Sequence, residues 1–205
     1  LERIFELNLL SINGVYGFFK ARSTDEKVEL LDSNVKFSFP RQLVDKSKPN
    51  LCLADFISPN GDDNIGLFAV TAGHGLEEIV NNYEKDFDDY NSIMVKVIAD
   101  RLAEAATEWL HEKVRKKDWG YAPEENFNNE ELIKEKYVGI RPAPGYPSCP
   151  DHSEKDKIWK LLNVEKTVGI SLTESRAMIP ASSVCGWYFS HPDSQYFSAL
   201  KNNAT

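Results

Sequence analysis

In the first third of the chain the hydrophobic residues fall in short runs bounded by turn formers, whereas from residue 76 the apolar positions recur with helical spacing. Residues 14–21, rich in aromatic and β-branched side chains, predict a strand. Shorter strands are expected at 28–31 and 35–39, around the turn-forming Asp32-Ser33-Asn34. A parallel crossover needs about a dozen residues or more, so these neighbours should be antiparallel. Residues 51–57 predict a further strand ended by Ser58-Pro59-Asn60-Gly61; alternation would place Asp55 on one face with Leu53 and Ile57. The last strand of this part spans 65–71. Its closing Ala72-Gly73-His74-Gly75 lacks the spacing of a phosphate-binding loop, so His74 is expected to be a solvated turn residue.

A short helix is predicted over 76–85 and a long one over about 88–117. Acids lie near the start of the long helix and Lys113, Arg115, Lys116 and Lys117 at its end, a polarity that complements the macrodipole. Met94, Val95 and Ile98 begin an apolar stripe that Leu102, Ala105, Ala106 and Trp109 continue, which should pack on the sheet. Asp100 and Glu104, four apart, share one face with Ile93 and Val97. Two like charges at that spacing fit either a solvated acidic face or a carboxylate pair lining a site. Asn128 and Asn129 are caps for a helix over 130–137, and Ser153 for one over 154–162. Strands are expected at 168–172, 177–180 and 183–189. A final helix should start at His191-Pro192-Asp193-Ser194 and hold Tyr196 and Phe197 in its first turns. The expected fold is α+β: a single domain with a twisted, mainly antiparallel sheet packed against helices, one long helix dominant.

At 205 residues, 41% hydrophobic and 27% charged, the chain can bury a core without staples, and the expected domain covers 1–205. Residues 1–13 read as the remnant of a preceding segment, and the missing initiator methionine suggests a piece of a longer polypeptide. A formal charge of −8 argues against sequence-independent nucleic-acid binding. No apolar run approaches the length of a membrane span, about 18 residues. Cys52, Cys149 and Cys185 are odd in number and far apart, which fits free thiols in a reducing cytoplasm rather than a disulfide framework.

The stretch from Arg141 to His152 holds four prolines and one glycine in twelve residues, and so forms a stiff loop rather than a helix interior or central strand. It carries Arg141, Tyr146, Cys149 and His152. A small-molecule site and a well-packed structural loop both fit this composition. Cys149-x-x-His152 also fits half a zinc site, although one such pair without a second is a weak signal. A small zinc hydrolase therefore stands as an alternative.

The pattern Arg-x-Ala-x-Gly-Tyr followed by Pro-x-Cys-Pro-x-His resembles the signature loop of the S-adenosylmethionine-binding activation domain of cobalamin-dependent methionine synthase. Asp88-Asp89-Tyr90-Asn91, Ala99-Asp100-Arg101-Leu102-Ala103-Glu104-Ala105, Trp119-Gly120-Tyr121-Ala122-Pro123, Leu172-Thr173-Glu174-Ser175 and Gly186-Trp187-Tyr188-Phe189-Ser190-His191-Pro192-Asp193 resemble the same family in the same order, from about residue 14 onward. The resemblance implies a module that binds S-adenosylmethionine and supports reductive methylation of oxidised cob(II)alamin to methylcobalamin. That step restores methyl transfer from methyltetrahydrofolate to homocysteine in methionine biosynthesis. It implies a part of a methyltransferase that binds ligand without turning over alone, with cobalamin held mainly by another module and zinc only in another.

The resemblance also assigns residues. Ligand contacts are implied at Asp55, Arg141, Ala143, Tyr196 and Phe197 and, less centrally, Glu104 and Glu135. Arg141 would fork the ligand carboxylate, Asp55 accept from its ammonium, the Ala143 backbone address adenine, and Tyr196 face the sulfonium. Tyr146, His152 and Asp100 would face the cobalamin. The implied partners are the cobalamin-binding module of the same polypeptide and a flavodoxin or flavodoxin-like reductase, with a redox-partner docking module without ligand binding as the alternative. For the latter, Lys113, Arg115, Lys116 and Lys117 form the expected docking patch.

Overall fold

The structure is a computed structural model that describes residues 10–43 and 49–200. Five antiparallel strands form one sheet in the order β3-β2-β1-β4-β7. β1 (Ser11–Thr24) runs longer than the sequence pattern predicts and takes in residues 11–13, read above as part of an appendage. It turns through Asp25 and Glu26 into β2 (Lys27–Leu30), which pairs with β3 (Lys36–Ser38). β4 (Asp63–His74) lies between β1 and β7 (Ser183–Tyr188) and is buried almost throughout. Both of its faces are covered, so its sequence reads as an unbroken apolar run rather than an alternation.

The two faces of β4 serve two cores. Phe68 and Val70 join Tyr188 of β7 against Leu110 and Val114. Ile65, Leu67 and Ala69 join Trp187, Phe37 and Phe39 in the larger core on the other side. The first core is roofed by helix α2 (Asp89–Lys113), which continues through a π-turn at Val114–Asp118, while α1 (Leu76–Lys85) packs along α2. α3 is the short Asn129–Ile133, capped by Asn128. α4 (Glu154–Leu162) and α5 (Val164–Val168) close the second core, and β5 (Ser171–Leu172) and β6 (Met178–Ile179) pair as a separate ribbon.

Several sequence expectations fail for physical reasons. Residues 51–57 are not a strand: Leu53–Phe56 forms a 3-10 turn, with Asp55 N–H donating to Cys52 O and the Asp55 carboxylate taking back the Cys52 N–H at 2.9 Å. The apolar run is buried there by coiling into the core instead of alternating across a sheet. The buried stripe of α2 is Val95, Ala99, Ala103, Thr107 and Leu110, one position round from the expected one. Small residues at its centre let the helix lie close, and bulky Trp109 and Met94 turn outward. No helix forms over 191–199, where Tyr196 and Phe197 lie in an irregular segment. Ser153 does not cap α4 with its side chain. His74 is half-buried rather than solvated, its Nε2 2.7 Å from Val168 O. Among the described residues, no helix is long and apolar enough to cross a membrane.

Candidate functional site

The proline loop runs beside β7 and is pinned to it. Ile140 and Phe189 exchange two backbone hydrogen bonds of 3.0 Å each, and Trp187 N–H donates to Pro142 O at 3.0 Å. This approach requires glycine at 186, because a Cβ there would lie 2.3 Å from Pro142 O. The loop then folds on itself through Gly145 N–H to Cys149 O at 2.8 Å and Cys149 N–H to Tyr146 O at 2.9 Å. Gly145 has φ +94°, and the His152 ring covers it so closely that a Cβ would meet Cε1 at 2.2 Å. The C-terminal segment is tied down by Ala199 N–H to Pro147 O at 2.8 Å and by the Tyr196 hydroxyl, which accepts the Arg141 backbone N–H at 3.0 Å.

A cleft of about 930 Å³ opens between this loop, the C-terminal segment, the start of β7 and one face of α2. Its volume suits a ligand the size of a nucleoside joined to an amino acid. Arg141, Ala143, Tyr146, Tyr196, Phe197, Asp100 and Glu104 all line it, so seven of the ten residues singled out in the sequence meet in one place. Thr107, Ser148 and Ser182 add hydroxyl groups that the sequence reading missed. Ser182 Oγ donates to Asp100 Oδ1 at 2.6 Å and ties α2 to the strand edge.

Arg141 is mostly buried. Its Nη2 is 2.6 Å from Glu108 Oε2, and Nη1 donates to Tyr137 Oη at 2.8 Å and lies 3.3 Å from His111 Nδ1. Burial opposes its charge, but the oxygens of Tyr137, Tyr196 and Glu108 outweigh this and hold the guanidinium above its ordinary pKa. His111 is wholly buried; burial first, then the cations Arg115 and Arg141, push its pKa well down, so it is neutral. Tyr188 stacks on it with ring centroids 5.1 Å apart. The sequence held a signal for Glu108: Asp100, Glu104 and Glu108 follow one another at four-residue steps on one helix face.

The remaining three expected residues lie elsewhere. Asp55 is not in the cleft. It accepts from Arg41 at both oxygens, 2.8 Å each, as well as from Cys52 N–H. The 3-10 turn aims it at that arginine. Glu135, at φ +51°, is exposed on the turn after α3, outside the cleft lining. His152 is exposed on the outer side of the loop against Gly145, again outside the lining.

Of the four cations expected to form a docking patch, three are engaged within the fold and Lys117 is exposed. Arg115 is fully buried with Glu125 at 2.7 Å, Lys113 is bound by Asp118 and by the Tyr16 hydroxyl, and Lys116 pairs with Glu112 at 3.3 Å. The zinc reading finds no support in the arrangement of the described residues. Cys149 is buried and its thiol is pushed up to about 12, first by burial, then by Glu154 and Asp151. Among the described residues no three His, Cys, Asp or Glu side chains are grouped to hold a metal.

A family model described as "Vitamin B12 dependent methionine synthase, activation domain" matches residues 1–204. A solved structure described as the MetH reactivation domain bound to AdoHcy superposes with a TM-score of 0.94 at 49% sequence identity. The match covers 97% of this chain and 64% of that one, so this chain spans less than two thirds of that relative's length. On the match along its whole length, the chain belongs to the family of vitamin B12-dependent methionine synthase activation domains.

Proposed function

We propose that this chain binds S-adenosylmethionine in the cleft beneath the proline loop and presents its methyl group to a corrinoid held by another module of a vitamin B12-dependent methionine synthase. One observation carries this reading: Arg141, Ala143 and Tyr196 converge on a single cleft large enough for the ligand. Arg141 offers a cationic fork to the carboxylate. The Ala143 backbone, fixed between two prolines, addresses the adenine at little ordering cost. The Tyr196 ring faces the sulfonium. The ammonium goes to the cleft acids Asp100 and Glu104 in place of Asp55.

When bound in its own module, the corrinoid supplies a reduced cobalt centre that accepts a methyl group. Tyr146, 65% exposed at the cleft mouth, and His152 on the same stiff loop fit contact with a large planar ring. This chain's residues bind, orient and exclude water; no side chain acts as base or nucleophile, and by itself the chain binds without turnover. Calorimetric titration with S-adenosylmethionine tests the reading. Saturable one-to-one binding, with thermal stability rising as ligand is added, is expected. Absence of both heat and stabilisation at millimolar ligand overturns it.

A further inference from the structure

The guanidinium on which carboxylate recognition rests is not free to swing. A guanidinium carries five N–H donors in fixed directions. Two of them are directed, both on Nη1, to Tyr137 Oη and His111 Nδ1, while Nη2 is held 2.6 Å from Glu108 Oε2 as an ion pair. With both Nη1 directions set, the plane of the group and its remaining donors follow. Nε and Nη2 donate no hydrogen bond among the described residues.

The three groups that hold it are themselves held. His111 accepts from Arg141 at Nδ1, so its proton sits on Nε2, which faces Tyr121 Oη at 3.4 Å. Its ring is clamped against Tyr188 and meets Tyr137 edge-on, with centroids 5.1 Å apart in each case. Tyr137 is buried, with the Arg115 guanidinium 4.2 Å above its ring. None of His111, Tyr137 and Glu108 lines the cleft, so none is placed to touch the ligand.

We propose that Glu108, His111 and Tyr137 are positioning residues that aim the Arg141 guanidinium, leaving the donors on Nε and Nη2 for the carboxylate of an amino-acid ligand. The inference rests on the S-adenosylmethionine site proposed above and extends it to residues behind the cleft wall. Preorganisation of this kind removes the ordering cost that a mobile arginine would bring to binding.

The test titrates wild type, Tyr137→Phe and Glu108→Asp with S-adenosylmethionine and with its decarboxylated analogue, which keeps adenine, sulfonium and ammonium. Tyr137→Phe deletes one oxygen, and Glu108→Asp keeps the charge while withdrawing it. Each should weaken S-adenosylmethionine by about tenfold, the scale of one hydrogen bond to a charged group. Affinity for the analogue should change by less than about twofold. Equal weakening of both ligands would show a general structural role and overturn the proposal, as would no change in either. A wild type that binds neither ligand is a different failure: it removes the S-adenosylmethionine reading and this proposal with it.

Discussion

Arg41–Asp55 and Arg141–Glu108 are the same chemical pair put to different ends. In the first, both carboxylate oxygens are taken by the guanidinium at 2.8 Å, one of them also by Cys52 N–H, and Arg41 Nη1 caps Asn50 O at 2.9 Å. It is a closed unit that staples the 3-10 turn to residue 41. In the second, Nη2 meets Glu108 as an ion pair, Nε and Nη2 of Arg141 donate no hydrogen bond, and Glu108 Oε1 is buried without a hydrogen-bond partner among the described residues. Exposure does not separate them, at 33% and 35% for the first pair against 22% and 27% for the second. What differs is the hydrogen-bonding capacity left over beside a cleft. Buried polar groups are ordinarily satisfied, so residual capacity marks the site better than charge does.

The sharpest way to break this contrast is Arg141→Ala. Truncating one partner of a mostly buried charge pair costs about 2–4 kcal/mol, so S-adenosylmethionine affinity should fall at least thirtyfold while the far-ultraviolet spectrum stays native. Unchanged affinity in a calorimetric titration would move the site elsewhere. Asp55→Ala should do the reverse. It should lower the free energy of unfolding by about 1 kcal/mol, since a third-exposed pair is partly screened, and leave affinity within about twofold. An affinity loss matching that of Arg141→Ala would return Asp55 to the site.

Acid should expose the closed pair next. Burial acts to raise the Asp55 pKa, but Arg41 and the Cys52 N–H outweigh it and hold the carboxyl below its ordinary range. A depressed carboxylate contributes stability above its unfolded pKa, about 3.9, and loses it as pH falls through the folded value. The urea midpoint of wild type should therefore exceed that of Asp55→Asn at pH 7, and the gap should close toward pH 2. A gap independent of pH would mean the pair is not what holds the turn. The smallest effect belongs to a third pair, Arg101–Glu104, with side chains 74% and 58% exposed. Glu104→Gln should change stability by less than about 0.5 kcal/mol, and any affinity loss should fade as salt is raised.

Local pattern carried much of this molecule. The bounds of α1 and α4 match the predicted helices residue for residue, and the aromatic and β-branched runs became β1, β2, β3 and β7. Local pattern misread residues 51–57, because an apolar run bordered by turns fits a strand or a coil buried in the core equally well. It misread the face of α2 by one position, because Ala99 and Ala103 look unremarkable until a sheet lies against them. Within the site, chemically distinctive residues on the proline loop and along α2 were legible. Glu108, His111 and Tyr137 were not singled out, since what matters about them is the direction in which they hold another side chain.

The amino-acid sequence by itself determined most of the element types, the stiff loop between Arg141 and His152, and through several motifs in order the family. These depend on φ/ψ restriction and on side-chain chemistry, both properties of neighbouring residues. Only the tertiary structure decided which arginine is spent on its carboxylate and which keeps donors in reserve. That outcome depends on where groups far apart in the chain come to rest. Arg41 meets Asp55 across a turn, whereas Arg141 meets Glu108 and His111 only because the loop beside β7 is packed under α2.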